Sequence, residues 1–259
     1  MDLHITGRKA IVCASSQGLG RACALSLSRE GVKVFINGRH EEKLRAAAAE
    51  ISRETGHEVI PVVADLMTEQ GRATLVAACP DADILVNNNA GPTPGKFEDW
   101  DHDAYIAVFE QNMLPAALLI RALLPGMRER KWGRIVNVTS AMVKSPNPHQ
   151  GLSTAARTAL TALCKAISRE CVVDNVTINN MLPERIDTGR QQYLIERQAK
   201  IDNSSLEAAR AKLVDTIAAK RFGRPEEFGD MCAYLCSDQA SYVCGQNIQL
   251  DGGSYRGIV

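Results

Sequence analysis

Short apolar runs alternate with longer helix-forming segments along most of this chain of 259 residues. The run KAIVCA at residues 9–14 predicts a first strand, and the segment GLGRACALSLSREG that follows predicts a helix. Further strands are predicted in VKVFING, HEVIPVVA, ADILVNN, GRIVNVTS, NVTINNML and QNIQLDGG. These runs are nearly continuous in apolar residues, which is typical of strands covered by helices on both faces. Repeated strand–helix–strand units therefore predict an α/β fold with a doubly wound parallel sheet.

The helical segments complete this organisation. We predict helices over 68–79, over about 101–130 as one long helix, and from 149 to about 172. The chain has no repeat, low-complexity tract or linker-like stretch, so residues 1–259 are expected to form a single domain. Residues 187–220 insert polar helical sequence between two strands, at the carboxyl end of the first. This position suits a lid over a binding crevice, and the alternative is a solvated helical pair that only decorates the surface.

Composition argues against nucleic-acid or membrane-surface binding and favours a cytoplasmic location. Thirty basic and thirty acidic residues give no net charge, which argues against a nucleic-acid or membrane-surface partner. The N-terminus lacks a secretory signal pattern, and no apolar run approaches the ~20 residues that span a bilayer. The eight cysteines are scattered through predicted elements, which fits buried thiols in the cytoplasm. Cys232 and Cys236 share a helix face without further ligands nearby, so no metal site is predicted.

The turn CASSQGLG lies between the first strand and the first helix. Glycines there let the backbone approach a pyrophosphate, and the helix N-terminus offers free N–H groups and a positive dipole. Gly18 and Gly20 carry this prediction of a dinucleotide site. Ala14 stands where a third glycine is usual, so the turn is expected to be slightly tighter than average.

The end of the second strand indicates which dinucleotide binds. Enzymes that prefer NAD generally place a carboxylate there for the ribose 2′-hydroxyl, and this chain has Gly38 followed by Arg39. An arginine can pair with a 2′-phosphate through charge-assisted hydrogen bonds. We therefore predict NADP (NADPH) as the cofactor, with NAD less favoured. The alternative for Arg39 is an ordinary surface arginine at a helix start.

Motifs along the whole chain resemble the short-chain dehydrogenase/reductase family, with its Rossmann-type fold. Among its branches the resemblance is strongest to 3-oxoacyl-acyl-carrier-protein reductases. The matching pieces follow in order: the Gly18/Gly20 turn, ADL at 64–66, ILVNNNAG at 84–91, Asn112 in QNMLPAALLIRALLPGM, GRIVNVTS, TINNMLPERIDT, GRPEEFGDMCAYLCSD and GQNIQLDGG.

The resemblance implies where a cofactor would lie. Asp65 would be near the adenine, and the loop Pro183–Thr188 would close over the nicotinamide. Two positions depart from the family pattern, because NNNAG has one asparagine more than usual and Glu184 replaces a glycine. Together with the glycine turn, the resemblance predicts as cofactor-binding residues Ala14, Ser16, Gln17, Gly18, Leu19, Gly20, Arg39, Asp65, Leu66, Asn88, Ala90, Gly91, Arg157, Pro183 and Ile186.

The family reduces carbonyls with an Asn, a Ser and a Tyr-x-x-x-Lys pair. Asn112 and Ser140 match the first two, whereas Ser153 and Arg157 stand at the tyrosine and lysine positions. Residues four apart share a helix face, so the geometry is retained while the chemistry changes. Arg157 is expected to keep the ribose contact and the positive charge. Ser153 is a far weaker acid than tyrosine, so a water chain bound to it would have to deliver the proton.

Three other residues are candidates for the missing acid. His149 lies one helical turn before Ser153 and has a suitable ordinary pKa of about 6.5. Tyr193 lies in the predicted lid, and Glu184 would serve only if desolvation raised its pKa. The alternative for each is an ordinary loop or surface residue.

These features favour an enzyme with non-standard catalytic residues, an NADP-dependent oxidoreductase that interconverts a small carbonyl compound and its alcohol. Ser140 would polarise the oxygen, and Asn112 would hold a water for proton relay. The main alternative is a non-catalytic NADP-binding subunit or sensor that has lost the tyrosine and lysine. The halohydrin dehalogenases of this fold also carry arginine at the lysine position but retain the tyrosine, so dehalogenation ranks lower. The resemblance further implies a homodimer or homotetramer formed through the long helices.

Overall fold

A computed structural model describes residues 1–258, and a seven-stranded sheet forms its centre. The strand order is β3-β2-β1-β4-β5-β6-β7, and every neighbouring pair is parallel. The chain winds outward from β1 in one direction and from β4 in the other, which opens a crevice at the carboxyl ends of these two strands. The predicted doubly wound α/β fold is confirmed. The strands are β1 Lys9–Val12, β2 Lys33–Gly38, β3 Val59–Val63, β4 Ile84–Asn87, β5 Gly133–Val138, β6 Val176–Pro183 and β7 Asn247–Leu250.

Helices cover both faces of the sheet, as the continuous apolar runs require. The buried cluster on one face joins the sheet to α1, α2 and α9, and the cluster on the other joins it to α3, α5 and α6. Val12 belongs to the first cluster and its neighbour Ile11 to the second, because successive strand residues point to opposite faces. The helices are α1 Gly18–Arg29, α2 Glu41–Thr55, α3 Glu69–Ala78, α4 His102–Asn112, α5 Leu114–Glu129, α6 Gly151–Cys171, α7 Gly189–Asp202, α8 Leu206–Asp215 and α9 Pro225–Leu235.

The prediction of one helix over about 101–130 is wrong. The structure has two helices there, α4 and α5, which are separated at Met113. Pro115 lacks the N–H that a continuous helix would need, and proline disfavours helical backbone in the residue before it. By length and composition alone, 102–129 is also the one described segment that could cross a membrane. Its residues Leu119, Ile120 and Leu123 are buried against the sheet, as in a core helix.

The predicted insertion folds as the helix pair α7 and α8, which has a small apolar cluster of its own. Its chain leaves the carboxyl end of β6 and returns beside it, where Ile186 bridges Gly223. The pair therefore lies next to the crevice rather than at the far end of the sheet. Its cluster contains Ile195, Ala199, Ala209, Leu213, Ile217 and Phe222.

A row of asparagine side chains crosses four strands, a feature that the sequence analysis missed. Asn87 Nδ2 donates to Asn137 Oδ1 at 2.9 Å, and Asn137 Nδ2 donates to Asn180 Oδ1 at 3.0 Å. Asn180 Nδ2 in turn donates to Asn247 Oδ1 at 2.9 Å. These residues are register partners in β4, β5, β6 and β7. We call this row the asparagine ladder.

The cysteines are packed into the interior, as expected. Seven of the eight thiols are buried, Cys244 is half-buried, and all are free. Burial raises the pKa of Cys13 to about 12 and that of Cys164 to about 12. Thiols with raised pKa values carry little thiolate at neutral pH, so these side chains act as small apolar residues.

Candidate active site

The glycine turn lies at the centre of the crevice, between β1 and α1. Gly18 has a φ of +60°, and a Cβ atom at Gly20 would lie 2.5 Å from the carbonyl oxygen of Ala14. The turn therefore requires glycine at both positions. Gln17, the residue before α1, makes no side-chain cap, so the first N–H groups of this helix remain open to a ligand.

Ala14 adopts a left-handed conformation in this turn, with a φ of +45°. The site therefore accommodates an alanine where glycine would be the unstrained choice. Contacts from two neighbouring strands hold it in place. Its N–H donates to Asn37 Oδ1 at 3.4 Å, and its carbonyl accepts a hydrogen bond from Asn88 Nδ2 at 3.2 Å.

The end of β2 has the room and the charge for a phosphate. Gly38 leaves the end of β2 without a side chain, and a Cβ atom there would lie 3.3 Å from Leu44 Cδ1 and 3.6 Å from the Ser16 side chain. Arg39 is exposed, and within residues 1–258 it makes no ion pair. The Ser16 hydroxyl and the Arg39 guanidinium thus fit the 2′-phosphate of NADP.

The three consecutive asparagines at the end of β4 have different hydrogen-bond partners, which separates their roles. Asn87 belongs to the asparagine ladder, and Asn88 reaches the glycine turn. Asn89 Nδ2 donates to the carbonyl of Gln111 at 2.6 Å and ties this loop to α4. Of the three, Asn88 is therefore the side chain in contact with the predicted cofactor-binding turn. Ala90 and Gly91 continue the same loop.

Asp65 and Leu66 follow β3 on the far side of the turn. Asp65 Oδ1 accepts a hydrogen bond from the N–H of Met67 at 3.0 Å, so this carboxylate orders its own loop. Leu66 is buried, and its carbonyl accepts a hydrogen bond from Arg72 at 2.7 Å. These hydrogen bonds thus hold the loop after β3 in one conformation.

The loop after β6 lies close to the glycine turn. A Cβ atom at Gly18 would lie 3.9 Å from Thr188 Cβ, so the predicted nicotinamide loop and the predicted pyrophosphate turn are neighbours. Pro183 ends β6, and Ile186 is buried. Arg185 has a φ of +55°, and its Nε is buried without a hydrogen-bond partner. The loop is therefore held in a specific and strained conformation.

Arg157 is buried and bound to the backbone. Its Nη1 donates to the carbonyls of Val138 at 2.8 Å and Thr139 at 3.1 Å, just beyond β5. Its Nη2 donates to the carbonyl of Asn89 at 3.3 Å, and its Nε donates to Ser153 Oγ at 3.2 Å. Desolvation, and to a smaller extent the charge of Arg190, lowers the pKa of Arg157 to about 10. The guanidinium thus joins the loops after β4 and β5 to α6.

The two serines both have their hydroxyl protons available. Ser140 Oγ accepts a hydrogen bond from the N–H of Met142 at 3.2 Å, and Ser153 Oγ accepts one from Arg157. A hydroxyl that accepts in this way can still donate to a substrate oxygen. Both residues are half-buried, as a site reached by a small molecule requires.

Asn112 lies at the break between α4 and α5. Its Nδ2 donates to the carbonyl of Ala90 at 2.8 Å, whereas its Oδ1 is buried without a partner. The residue lines a small cavity together with Asn88, Asn89 and Arg157. A buried amide oxygen without a partner is costly, so this position suits an ordered water.

Arg190 is a site residue that the sequence analysis missed. It lies at the start of α7, and its Nη2 donates to the carbonyl of Pro92 at 2.9 Å, which ties the insertion to the loop after β4. It lines a second small cavity together with Ser153, His149 and Trp100. In the sequence, the only indication of this role was that Arg190 lies two residues beyond the predicted nicotinamide loop.

The three candidates for the missing acid occupy different surroundings. His149 is exposed and lines the cavity beside Ser153. Tyr193 is partly exposed, with its ring 5.2 Å from the guanidinium of Arg190. Glu184 is half-buried, and desolvation raises its pKa, with a smaller contribution from Asp251. Within residues 1–258, no tyrosine lines either of the two cavities.

Sequence comparison agrees with this geometry. A family model described as enoyl-(acyl carrier protein) reductase matches residues 13–255. The chain belongs to the short-chain dehydrogenase/reductase family. A 3-oxoacyl-(acyl-carrier-protein) reductase of Rickettsia felis is 30% identical, over 97% of this chain and 98% of that protein. An NADPH-dependent reductase of Bacillus subtilis is 29% identical, over 97% of this chain and 99% of that protein.

Solved structures of short-chain dehydrogenase/reductase proteins superimpose on the whole chain. One is L-sorbose reductase from Gluconobacter frateurii in complex with NADPH and L-sorbose. It is 27% identical, covers 100% of both chains, and superimposes with a TM-score of 0.94. The predicted family membership and its likeness to 3-oxoacyl-acyl-carrier-protein reductases are therefore confirmed.

Proposed function

We propose that this protein is an NADP-dependent oxidoreductase that interconverts a small carbonyl compound and its alcohol. The observation that carries the proposal is the crevice itself, in which the open N-terminus of α1 faces the loops after β4 and β6. Its similarity to NADPH-dependent reductases supports the choice of reaction and of cofactor. When bound, NADPH supplies the hydride that reduces the carbonyl.

Different residues of the crevice would bind different parts of NADP. The first N–H groups of α1 would hold the pyrophosphate, and Ser16 with Arg39 would hold the 2′-phosphate. The loop Pro183–Thr188 would lie over the nicotinamide, with the helix pair α7–α8 as a lid. Arg157 would use its remaining Nη2 donor for the ribose or the substrate.

The catalytic residues would act on the substrate oxygen. Ser140 would donate a hydrogen bond that polarises the carbonyl. The proton would reach the alkoxide through water bound at Ser153, whose oxygen is polarised by the Arg157 hydrogen bond, with Asn112 Oδ1 holding a second water. Arg157 thereby becomes a positioning residue for Ser153 as well as a cation in the site.

Fluorescence titration with NADPH and NADH tests the cofactor assignment. We expect NADPH to bind more tightly than NADH, and Arg39→Ala to weaken NADPH binding by about tenfold while leaving NADH binding unchanged. The exposed Arg53→Ala on α2 is the matched control and should change neither affinity. Equal affinity for both cofactors in the native protein would contradict the assignment of Arg39.

A second candidate function is a non-catalytic NADP-binding subunit or sensor. The absence of a tyrosine from both cavity linings within residues 1–258 favours it. Turnover of a carbonyl panel distinguishes the two, because the enzyme should lose at least about a hundredfold in kcat with Ser140→Ala. Tight NADPH binding without turnover of any carbonyl would favour the sensor. Turnover unchanged by Ser140→Ala would remove that serine from the mechanism.

We further propose a cytoplasmic homo-oligomer, a homodimer or homotetramer, formed through α5 and α6. The outward faces of both helices carry small residues, including Ala122 on α5 and Ala155, Ala162 and Ala166 on α6. Small side chains allow two copies of a helix to approach closely. The free cysteines fit the reducing environment of the cytoplasm.

A further inference from the structure

An open space above Gly91 is surrounded by hydrogen-bond donors. A Cβ atom at Gly91 would lie 3.8 Å from Arg157 Nη2, 3.9 Å from Arg190 Nη2 and 3.9 Å from Ser153 Oγ. The three groups come from α6 and α7. All three polar atoms therefore lie within 4 Å of a single point beside Gly91.

The donors have unused hydrogen-bonding capacity. Arg157 has five N–H groups, and four of them are bonded to Val138, Thr139, Asn89 and Ser153. The remaining N–H is on Nη2, the atom that faces Gly91. Arg190 uses Nη2 once, for Pro92, and the Ser153 hydroxyl keeps its proton for donation. A ligand atom in this space that accepts hydrogen bonds would therefore find free donors.

The two arginine charges have no counter-ion in the protein. Within residues 1–258, neither Arg157 nor Arg190 makes an ion pair with a carboxylate. The charge of Arg190 lowers the pKa of Arg157, after desolvation, and the charge of Arg197 contributes to the lowered pKa of Arg190. The ring of Tyr193 lies beside Arg190, with its centroid 5.2 Å from the guanidinium carbon. Arg157 is buried and lines one cavity, whereas Arg190 is exposed and lines the neighbouring one. Like charges repel, and an anion between them would stabilise both.

We propose that the substrate carries a carboxylate, which binds in the space above Gly91 between Arg190 and Arg157 and leaves the Ser153 hydroxyl to the proton relay. This inference rests on the proposed function and narrows its substrate to anionic carbonyl compounds. The planar guanidinium groups match the geometry of a carboxylate, and a glycine at 91 keeps the space open. A neutral ketone of the same shape would leave both charges uncompensated.

Matched acid and ester pairs test the proposal. The probes are pyruvate, acetoacetate and levulinate, each with its methyl ester, which place the carboxylate at three distances from the carbonyl. Each is titrated calorimetrically at low ionic strength into the protein saturated with NADP⁺, which cannot reduce a carbonyl, and into the protein alone. In at least one pair we expect the acid to bind about tenfold more tightly than the ester. Equal or tighter binding of all three esters overturns the proposal.

Variants of Arg190 locate the binding group. Arg190→Met should abolish the preference for the acid, and Arg190→Lys should restore part of it, because lysine keeps the charge. Lys200→Met, at an exposed position near the end of the same helix, should leave the preference intact. A preference that survives Arg190→Met overturns the assignment. So does a variant whose NADPH affinity falls as much as its affinity for the acid, because Arg190 would then bind the cofactor.

The same titrations, together with a turnover assay of acids and neutral ketones with NADPH, separate this inference from the proposed function. If the protein does not bind NADPH, the proposed function fails, and the titrations without cofactor still decide whether an anion site exists. If NADPH binds and neutral ketones are reduced as efficiently as the acids, the oxidoreductase stands and the carboxylate site fails.

Discussion

Arg157 is a proposed binding residue that also holds the active-site loops together. Its hydrogen bonds join the backbone after β4 and β5 to Ser153 on α6, so replacing it would disturb the site's geometry as well as its charge. A lysine at this position could not make four bonds in these directions, because its ammonium is one point with three donors. Changes at Arg190 are therefore the cleaner probe of charge.

The left-handed Ala14 predicts a stabilising substitution. An L-residue pays about 1–2 kcal/mol in this conformation, whereas glycine loses about 0.5–1 kcal/mol in backbone entropy. We expect Ala14→Gly to raise the free energy of unfolding by about 0.5–1 kcal/mol, measured by urea denaturation. The matched control is Ala46→Gly on the exposed side of α2, which should lower it by about 1 kcal/mol. A loss of stability in both variants would contradict the strain at Ala14.

Glu184 predicts a pH-dependent stability difference. Because burial raises its pKa in the folded protein, the ionised form destabilises the fold once the pH rises through that value. Glu184→Gln removes this cost, so the variant should melt at a higher temperature than the native protein at about pH 7.5. The difference should shrink toward about pH 4, where glutamate is protonated in either state. The exposed Glu42→Gln is the control, and a pH-independent difference would contradict the effect of burial.

At the scale of elements, the asparagine ladder joins the half of the sheet that carries the active-site loops. Each amide in the middle of the row both donates and accepts, so the strands are connected by side chains as well as by the backbone. The ladder lies one or two residues before the loops that bear Asn88 and Ser140. It thereby fixes the relative positions of the strands from which the site is built.

Interrupting the ladder in its middle should be costly. Asn137 is fully buried, and Asn137→Leu would leave Asn87 Nδ2 and Asn180 Oδ1 without their partners. We expect a loss of about 3 kcal/mol in the free energy of unfolding, measured by urea denaturation. Asn247→Ala, at the half-buried end of the row, removes one bond and should cost about 1 kcal/mol. Similar costs at both positions would show that the bonds do not act as a connected row.

Some of these helices, strands and turns could be predicted from sequence patterns, and others could not. The parallel sheet followed from continuous apolar runs, and the glycine turn followed from its place between a strand and a helix. The ladder was missed because asparagines inside apolar strands give no sign of pairing until the strand register is known. Arg190 was missed for a similar reason, since only the path of the insertion brings α7 to Gly91. Pro115 was visible in the sequence, and its effect on the helix was underestimated.

At the scale of the whole molecule, assembly is the property most open to experiment. Light scattering should give the mass of a dimer or tetramer, and Ala162→Arg should reduce it, because a long charged side chain would replace a small exposed one on the face proposed for the contact. Arg169→Ala, an exposed change on the same helix, is the control and should leave the mass unchanged. A native protein that scatters as a monomer would contradict the proposed homo-oligomer.

The helix pair α7–α8 encloses an apolar cluster that is separate from the two clusters on the sheet. Ile195 on α7 and Leu213 on α8 share this cluster with Phe222, which follows the pair, so much of the pair's apolar surface is buried outside the packing of the sheet. Conservative substitutions inside this cluster are therefore expected to reshape the wall of the crevice while leaving the packing of the sheet intact.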